Sequence, residues 1–205
     1  MDRKTRRSPD FLLVIVILAV FGNALFCWYA LDDYRHLVDN AAVRSFIDAL
    51  GSFSSALYPG NLYRPLAILS YWLVYAFSGL HPFWHHLLNV LLHMGVCLLV
   101  YKLCLRIVAP KSAFLMALLF AINPLRVEAV TNVSGRAEVL SAFFGLLSVW
   151  WFWKLIEKSQ AEKNKGLYAG ALFLTFLCAL LSKESAVVFV LLIPLYAIFA
   201  RKKLL

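Results

Sequence analysis

The sequence predicts an all-α polytopic membrane protein of about six transmembrane helices, with two interfacial, juxtamembrane helices in its first outer loop. Three observations predict it. The 205 residues are 62% hydrophobic and 15% charged, with a mean hydropathy of +0.77, outside the range of soluble globular chains. Apolar runs of about the length needed to cross a hydrocarbon core recur along the chain. The twenty Lys and Arg, against eleven Asp and Glu, fall in groups between those runs, as orienting charges do.

Residues 1–10 form a basic segment carrying Arg3, Lys4, Arg6 and Arg7 ahead of a first span over 11–31. That apolar stretch is too long for the core of a signal peptide, and no small-residue cleavage site follows it, because Trp28, Tyr29 and Leu31 lead straight into Asp32. An outer loop over 32–82 comes next. Within it Val43, Phe46, Ile47 and Leu50 recur at i, i+3, i+4 and i+7 with Gly51 as a stop, which predicts an amphipathic helix at about 40–50 on the membrane surface. A linker rich in Gly, Ser and Pro (GSFSSALYPG) leads to a second interfacial helix over 65–79. From 83 to 205 the pattern predicts a bundle of about five spans: 83–101, 113–124, 139–153, 167–181 and 186–200.

The 65–79 segment decides the topology, since a full crossing there would invert everything after it. If it does not cross, fourteen basic residues lie on the cytoplasmic side and six outside; if it crosses, the split is seven and thirteen. The positive-inside rule selects the first arrangement. A helix opened by Pro65 and closed by Gly79 would also rise only roughly 22 Å, short of the ~30 Å core. Both termini are then cytoplasmic. The outer face carries Arg35, Arg44, Arg64, Arg126, Arg136 and Lys183 against Asp32, Asp33, Asp39, Asp48, Glu128, Glu138 and Glu184, so the basic excess is topological. No basic patch with interleaved aromatics remains, and a nucleic-acid partner is excluded. Membrane lipid is the expected surrounding.

Cys27, Cys97 and Cys178 fall inside predicted spans and Cys104 just beyond the end of one, without a CxxC, the pattern of small packing residues. Chemistry is expected instead where charges crowd the outer boundary. Asp32 and Asp33 leave the first span as adjacent carboxylates, unfavourable at an apolar surface unless a cation or substrate offsets them; an interfacial Asp pair can equally end a helix and face water. In NPLRVEAVTNVSGRAEV, Asn123-Pro124 breaks a span, and Arg126, Glu128, Arg136 and Glu138 follow within a short turn. Broken helices are tolerated where they line a wet cavity. Basic side chains there could hold a phosphate and the glutamates a sugar hydroxyl, or all four could form rim ion pairs. Lys183 and Glu184 offer the same two readings.

His85, Asn89 and His93 share one helical face at i, i+4 and i+8, with His86 beside them. Two imidazoles on a stripe favour interhelical hydrogen bonding over a metal site, so no metal is assigned to them. Asn132-Val133-Ser134 is a formal glycosylation sequon, set in a turn too close to the bilayer to favour use.

Five blocks, LDDYRHLVDN, YRPLAILSYWL, GLHPFWHHLLNVLLH, LLFAINPLRVEAVTNVSGRAEVLSAFFGLLS and LLSKESAVV, in this order and spacing, resemble the N-terminal membrane portion of the transmembrane and tetratricopeptide-repeat O-mannosyltransferases and their bacterial relatives, within the C-type glycosyltransferase superfamily. The resemblance covers nearly the whole chain from Leu31 onward. It implies inverting transfer of a sugar, mannose by analogy, from a polyprenyl-phosphate donor to an acceptor hydroxyl on protein Ser or Thr at the lumenal or periplasmic face. By the matched motif Asp32 would be the general base, and Asp33 would position the acceptor or bind a divalent cation. Arg136, Lys183 and Arg64 would stabilise the lipid-linked phosphate leaving group. Glu128, Glu138 and Glu184 would orient those cations or touch the sugar.

Members of that family ordinarily continue into further spans and a soluble repeat domain, whereas this chain stops after its sixth predicted span, as would a fragment or truncated gene, or a short homologue that takes the missing spans from a partner chain or has lost activity. The alternative is a non-catalytic membrane subunit or scaffold of a lipid-linked glycosylation system. A small transporter would want midplane charges and repeat symmetry, and neither is evident. Localisation divides between the endoplasmic reticulum membrane, which Lys202-Lys203-Leu204-Leu205 in the form of a dilysine signal would suit, and a bacterial inner membrane.

Overall fold

The computed structural model describes residues 9–157 and 165–201. The basic residues Arg3, Lys4, Arg6 and Arg7, then Lys158 and Lys163, and the dilysine pair lie outside these. Among the described residues there is no β-strand, and the fold is that of an all-α membrane protein.

Pro9 opens α1 (Pro9–Phe21) at the position where a missing N–H costs nothing. Leu13, Ile17 and Phe21, one per turn, face the interior, while Leu12, Ile15 and Leu18 face outward. The helix tightens into a 3-10 turn at Gly22–Phe26 and stops there, short of the Leu31 expected from hydropathy. Cys27 is already extended, and Leu31 turns the chain into Asp32 with a φ of 48°. Apolar composition alone does not reveal this loss of helical conformation before the first charge.

The amphipathic helix expected over 40–50 is divided. Asn40 accepts the N–H of Ala42 at 3.0 Å and starts a 3-10 turn over Ala41–Val43; Ser45, in an extended conformation, accepts the N–H of Asp48 at 3.3 Å and starts α2 (Phe46–Gly51). Two capping side chains five residues apart compete with one continuous helix. The next helix, α3 (Pro65–Ser78), buries Ala67, Ile68, Tyr71 and Val74 and ends at Gly79, whose φ of 60° suits a residue without a Cβ. Its rise is ~21 Å.

The longest helices are α4 (Pro82–Cys104) and α7 (Arg136–Glu157), which pack together. Gly95 makes room for the ring of Phe143, which would stand 2.7 Å from a Cβ there. Between these helices in sequence lies α5 (Pro110–Ala121), whose buried Ala113, Ala117 and Ala121 let it approach α4 closely. Asn123 then accepts the N–H of Leu125 and caps a 3-10 turn over Pro124–Arg126, followed by α6 (Val127–Thr131), bent 52° from α5. Next, α8 (Lys165–Ser182) runs along α7, and α9 (Phe189–Arg201), with Pro194 inside it, returns against α7 after a 3-10 turn at Glu184–Val188.

Among the described residues, four helical stretches are long and apolar enough to cross a membrane: Pro9–Phe26, Pro82–Cys104, Val133–Glu157 and Lys165–Ser182. The bent pair of α5 and α6 makes a fifth if taken as one span, and the expected sixth, over 186–200, falls in a shorter apolar helix. One apolar cluster joins α1, α4, α5 and α7; another joins α3 to the loop after α1; a third joins α7, α8 and α9. At one end of the bundle Arg106 and Lys154 share Glu157 at 3.1 and 3.2 Å, with the Arg106 guanidinium over Trp150. The outer-face charges Asp32, Arg64, Glu128 and Glu138 gather at the opposite end, where α4 and α7 begin.

Candidate functional site

At that opposite end a polar pocket of about 350 Å³ opens between the loop after α1, the linker before α3, and the segment around α6. Asp32, Arg64, Glu128 and Glu138 line it, together with His36, Tyr58, Asn132 and Ser134. Half of the eight residues expected from sequence thus meet in one wall. Two more are tied to them by ion pairs. Arg64 grips Glu184 with Nε to Oε2 at 3.1 Å and Nη2 to Oε1 at 2.7 Å, and Lys183 pairs with Glu138. These contacts draw the segment after α8 onto the pocket. The Arg64 hydrogen bond holds the Glu184 carboxyl below its ordinary range; burial works against the charge of Arg64, and the Glu184 contact outweighs it and raises the guanidinium.

Asp33 and Arg136 are placed elsewhere, and their expected roles change. Asp33 is 1% exposed, and both its oxygens are taken by backbone: Oδ2 accepts from Ala30 N–H at 3.2 Å and Oδ1 from Ser134 N–H at 2.7 Å. It is not free to share a cation with Asp32, and among the described residues no group of three or more His, Cys, Asp or Glu is placed to hold a metal ion. Arg136 is fully buried. Its Nε donates to Asn89 Oδ1 at 2.8 Å, Nη2 to the His85 carbonyl at 2.6 Å and Nη1 to the Ser70 carbonyl at 3.3 Å, with the guanidinium 4.7 Å from the Tyr71 ring centre. A guanidinium so engaged fastens α3, α4 and α7 together and presents no donor to the pocket.

The His85, Asn89 and His93 stripe also works as packing. His85 reaches the Gly79 carbonyl at 3.1 Å, Asn89 donates to the Asn132 carbonyl at 2.8 Å, and His93 lies 3.4 Å from the Ala121 carbonyl. The turn carrying the sequon is therefore held from below by Asn89. It is held from the side by Tyr71, whose hydroxyl donates to the Val133 carbonyl at 3.1 Å, and by Asp33.

Two wall residues escape the sequence pattern. His36 Nδ1 donates to the Asp32 carbonyl at 2.7 Å, and its ring lies 4.8 Å from that of Tyr58. The i, i+4 spacing from Asp32 is the signal that could find it. Tyr58 sits in the Gly, Ser and Pro-rich linker with nothing periodic to mark it. Burial pushes its hydroxyl above the usual tyrosine range, so it meets the pocket as a neutral group under the Arg64 guanidinium, 5.1 Å away.

Fold and site together define an all-helical membrane protein with a charged pocket at one end of its bundle. Over 198 residues the chain is 33% identical to Protein O-mannosyl-transferase TMTC3 of Mus musculus, matching 92% of this chain and 21% of that protein. It is 31% identical to Protein O-mannosyl-transferase Tmtc3 of Drosophila melanogaster (84% of this chain, 23% of that protein) and 30% identical to Protein O-mannosyl-transferase TMTC4 of Homo sapiens (87% and 28%). The family that the five sequence blocks resemble is thus the family of its curated homologues. The chain spans between a fifth and somewhat over a quarter of these relatives' length. No protein-family model and no solved structure matches it significantly.

Proposed function

We propose that this chain is a glycosyl-transferring membrane portion of a protein O-mannosyltransferase, moving mannose from a polyprenyl-phosphate donor to a Ser or Thr hydroxyl of a protein acceptor with inversion at the anomeric carbon. The observation that carries the reading is Asp32 on the wall of a polar pocket whose other charges are Arg64, Glu128 and Glu138. The names of the homologues support the mannosyl part.

In this reading the acceptor oxygen attacks the anomeric carbon as its proton passes to the Asp32 carboxylate, and the bond from that carbon to the phosphate oxygen breaks. The electron pair leaves with the polyprenyl phosphate, where negative charge grows and a cation lowers the barrier. Arg64 and Lys183 stand at the pocket with carboxylate partners that fix their positions. Glu128, whose carboxylate has no hydrogen bond or ion pair among the described residues, is available to a sugar hydroxyl. The pocket would face the lumen of the endoplasmic reticulum or a bacterial periplasm, both termini would be cytoplasmic, and further spans from a longer or partner chain would close the donor cavity. A divalent cation, if the reaction uses one, would have to be held by Asp32 without Asp33.

The test is transfer of radiolabelled mannose from polyprenyl-phosphomannose to acceptor peptides by the chain in lipid vesicles. Asp32→Asn is expected to lower the rate by roughly 10²–10⁴-fold, the usual worth of a general base. Transfer that survives Asp32→Asn removes Asp32 as the base. Donor binding without any transfer returns the chain to the non-catalytic subunit reading.

A further inference from the structure

Among the cations at the pocket end, Arg64 and Lys183 each hold a carboxylate and Arg136 is spent on a neutral buried network. Arg126 differs. Its guanidinium lies 4.6 Å from the centre of the Phe120 ring, and its Nε–H is buried without a hydrogen-bond partner among the described residues. The side chain is half-buried, and a buried N–H of a charged group left unmatched is costly and calls for an acceptor. A small second cavity of about 30 Å³ lies against it, lined also by His93, Phe120, Val130 and Glu138, with room for a water-sized polar group. Glu138 and Ala129 line both this cavity and the main pocket, so the two adjoin. The Glu138 charge is already answered by Lys183, which leaves Arg126 as an uncompensated positive charge at the junction.

The rim beside it is apolar. Leu31 and Leu125 both line the main pocket and are each 84% exposed. A polar pocket, an unmatched guanidinium at its edge and two bare leucines at its mouth suit one chemical class, an amphiphile with an anionic group between a polar head and an apolar chain.

We propose that Arg126 is a phosphate-binding residue for a lipid-linked phosphate ligand, at the seam between the polar pocket and the Leu31–Leu125 rim. This rests on the same pocket as the transferase reading and adds Arg126, in place of Arg136, to the Arg64 and Lys183 of that reading. The Arg126 fork supplies a pair of donors to phosphate oxygens, which an ammonium at the same place would match in charge only.

The test is binding of farnesyl phosphate to the purified full chain in detergent, followed by quenching of tryptophan fluorescence, with farnesol and inorganic phosphate as separate arms. Arg126→Ala is expected to weaken farnesyl phosphate binding at least tenfold and to leave farnesol binding unchanged. Arg126→Lys should fall between, and Arg35→Ala, a change of an outer-loop cation away from the pocket lining, should bind as the parent does. Thermal unfolding identifies any variant that fails to fold, and Arg126→Lys then carries the comparison. The proposal is overturned if the parent does not bind farnesyl phosphate, if Arg126→Ala and Arg126→Lys bind it as the parent does, or if farnesol binding falls equally. Competition by inorganic phosphate as strong as that by farnesyl phosphate overturns the lipid-linked part. Because binding is read without sugar transfer, Arg126-dependent binding with no mannose transfer keeps this assignment and removes the transferase reading. Mannose transfer that ignores Arg126 does the reverse.

Discussion

Asp33 and Ser134 stand 101 residues apart in sequence and are joined by a 2.7 Å hydrogen bond from the serine N–H to the aspartate Oδ1. That bond makes the loop after α1 and the turn before α7 one piece, and it places Asp32 beside Glu128 and Glu138. The two adjacent aspartates thus divide the work, one facing the pocket and the other holding its wall together.

The division predicts opposite phenotypes. Asp33→Ala leaves two backbone donors without their acceptor and should lower stability by roughly 2–3 kcal/mol, since hydrogen bonds to a charged group are among the stronger ones. Asp33→Asn, which keeps one acceptor oxygen, should lose less. Asp32→Asn should unfold at the same temperature as the parent. Thermal denaturation in one detergent measures all three, and an Asp32 variant as unstable as the Asp33 one would show that the roles are not separate.

Arg136 should behave as a structural residue. Replacing it with Met leaves the Asn89 side-chain oxygen and the His85 carbonyl without their donor inside the bundle, at a cost of about 3 kcal/mol or more. Arg136→Lys keeps the charge but cannot reach three acceptors in different directions, so it should rescue little. The check is limited proteolysis of the loop between α6 and α7, which should become faster in both variants.

Gly145 on α7 lies so close to the Phe189 ring that a Cβ would occupy the same space. Gly145→Ala should therefore destabilise the contact between α7 and α9 by roughly 1–3 kcal/mol, the usual range for overpacking. Phe189→Ala in the same chain should relieve much of that loss. A double-mutant cycle read by thermal unfolding would give the coupling, and additive losses would contradict the contact.

The Arg64–Glu184 pair gives a pH dependence of known sign. The folded state lowers the Glu184 carboxyl, so the pair contributes fully above the unfolded carboxyl value of about 4.3, and its contribution fades as pH falls through the lower folded value. With the Glu184 side chain 63% exposed, solvent screening keeps the contribution below about 1 kcal/mol. Glu184→Gln should cost the same small amount at pH 6 and pH 8 and less as the pH is taken down through the lowered carboxyl value. A cost that grows toward low pH would contradict the pair.

The helices are legible in the sequence because hydropathy and proline placement act locally: Pro65, Pro82 and Pro110 each open a helix. The gathering of charges at one end is legible because no charge sits cheaply inside a bilayer. What each charge faces is not legible. Arg126 and Arg136 lie ten residues apart in the same motif, yet one borders a cavity and the other is sealed against Asn89, since a turn of α6 and the cap at Asn123 set their directions. Pairings such as Asp33 with Ser134 or Arg64 with Glu184 have no local signal, because they depend on how distant helices come to rest against each other.

Those distant pairings also set an order of assembly. A chain made from its N-terminus exposes the Asp33 carboxylate long before the N–H of Ser134 exists, and Arg64 waits 120 residues for Glu184. The pocket therefore cannot mature piece by piece as the chain emerges. Until the segment after α8 arrives, its acidic and basic side chains stand apart at the water boundary, where a membrane chaperone or an early ligand would meet them unpaired.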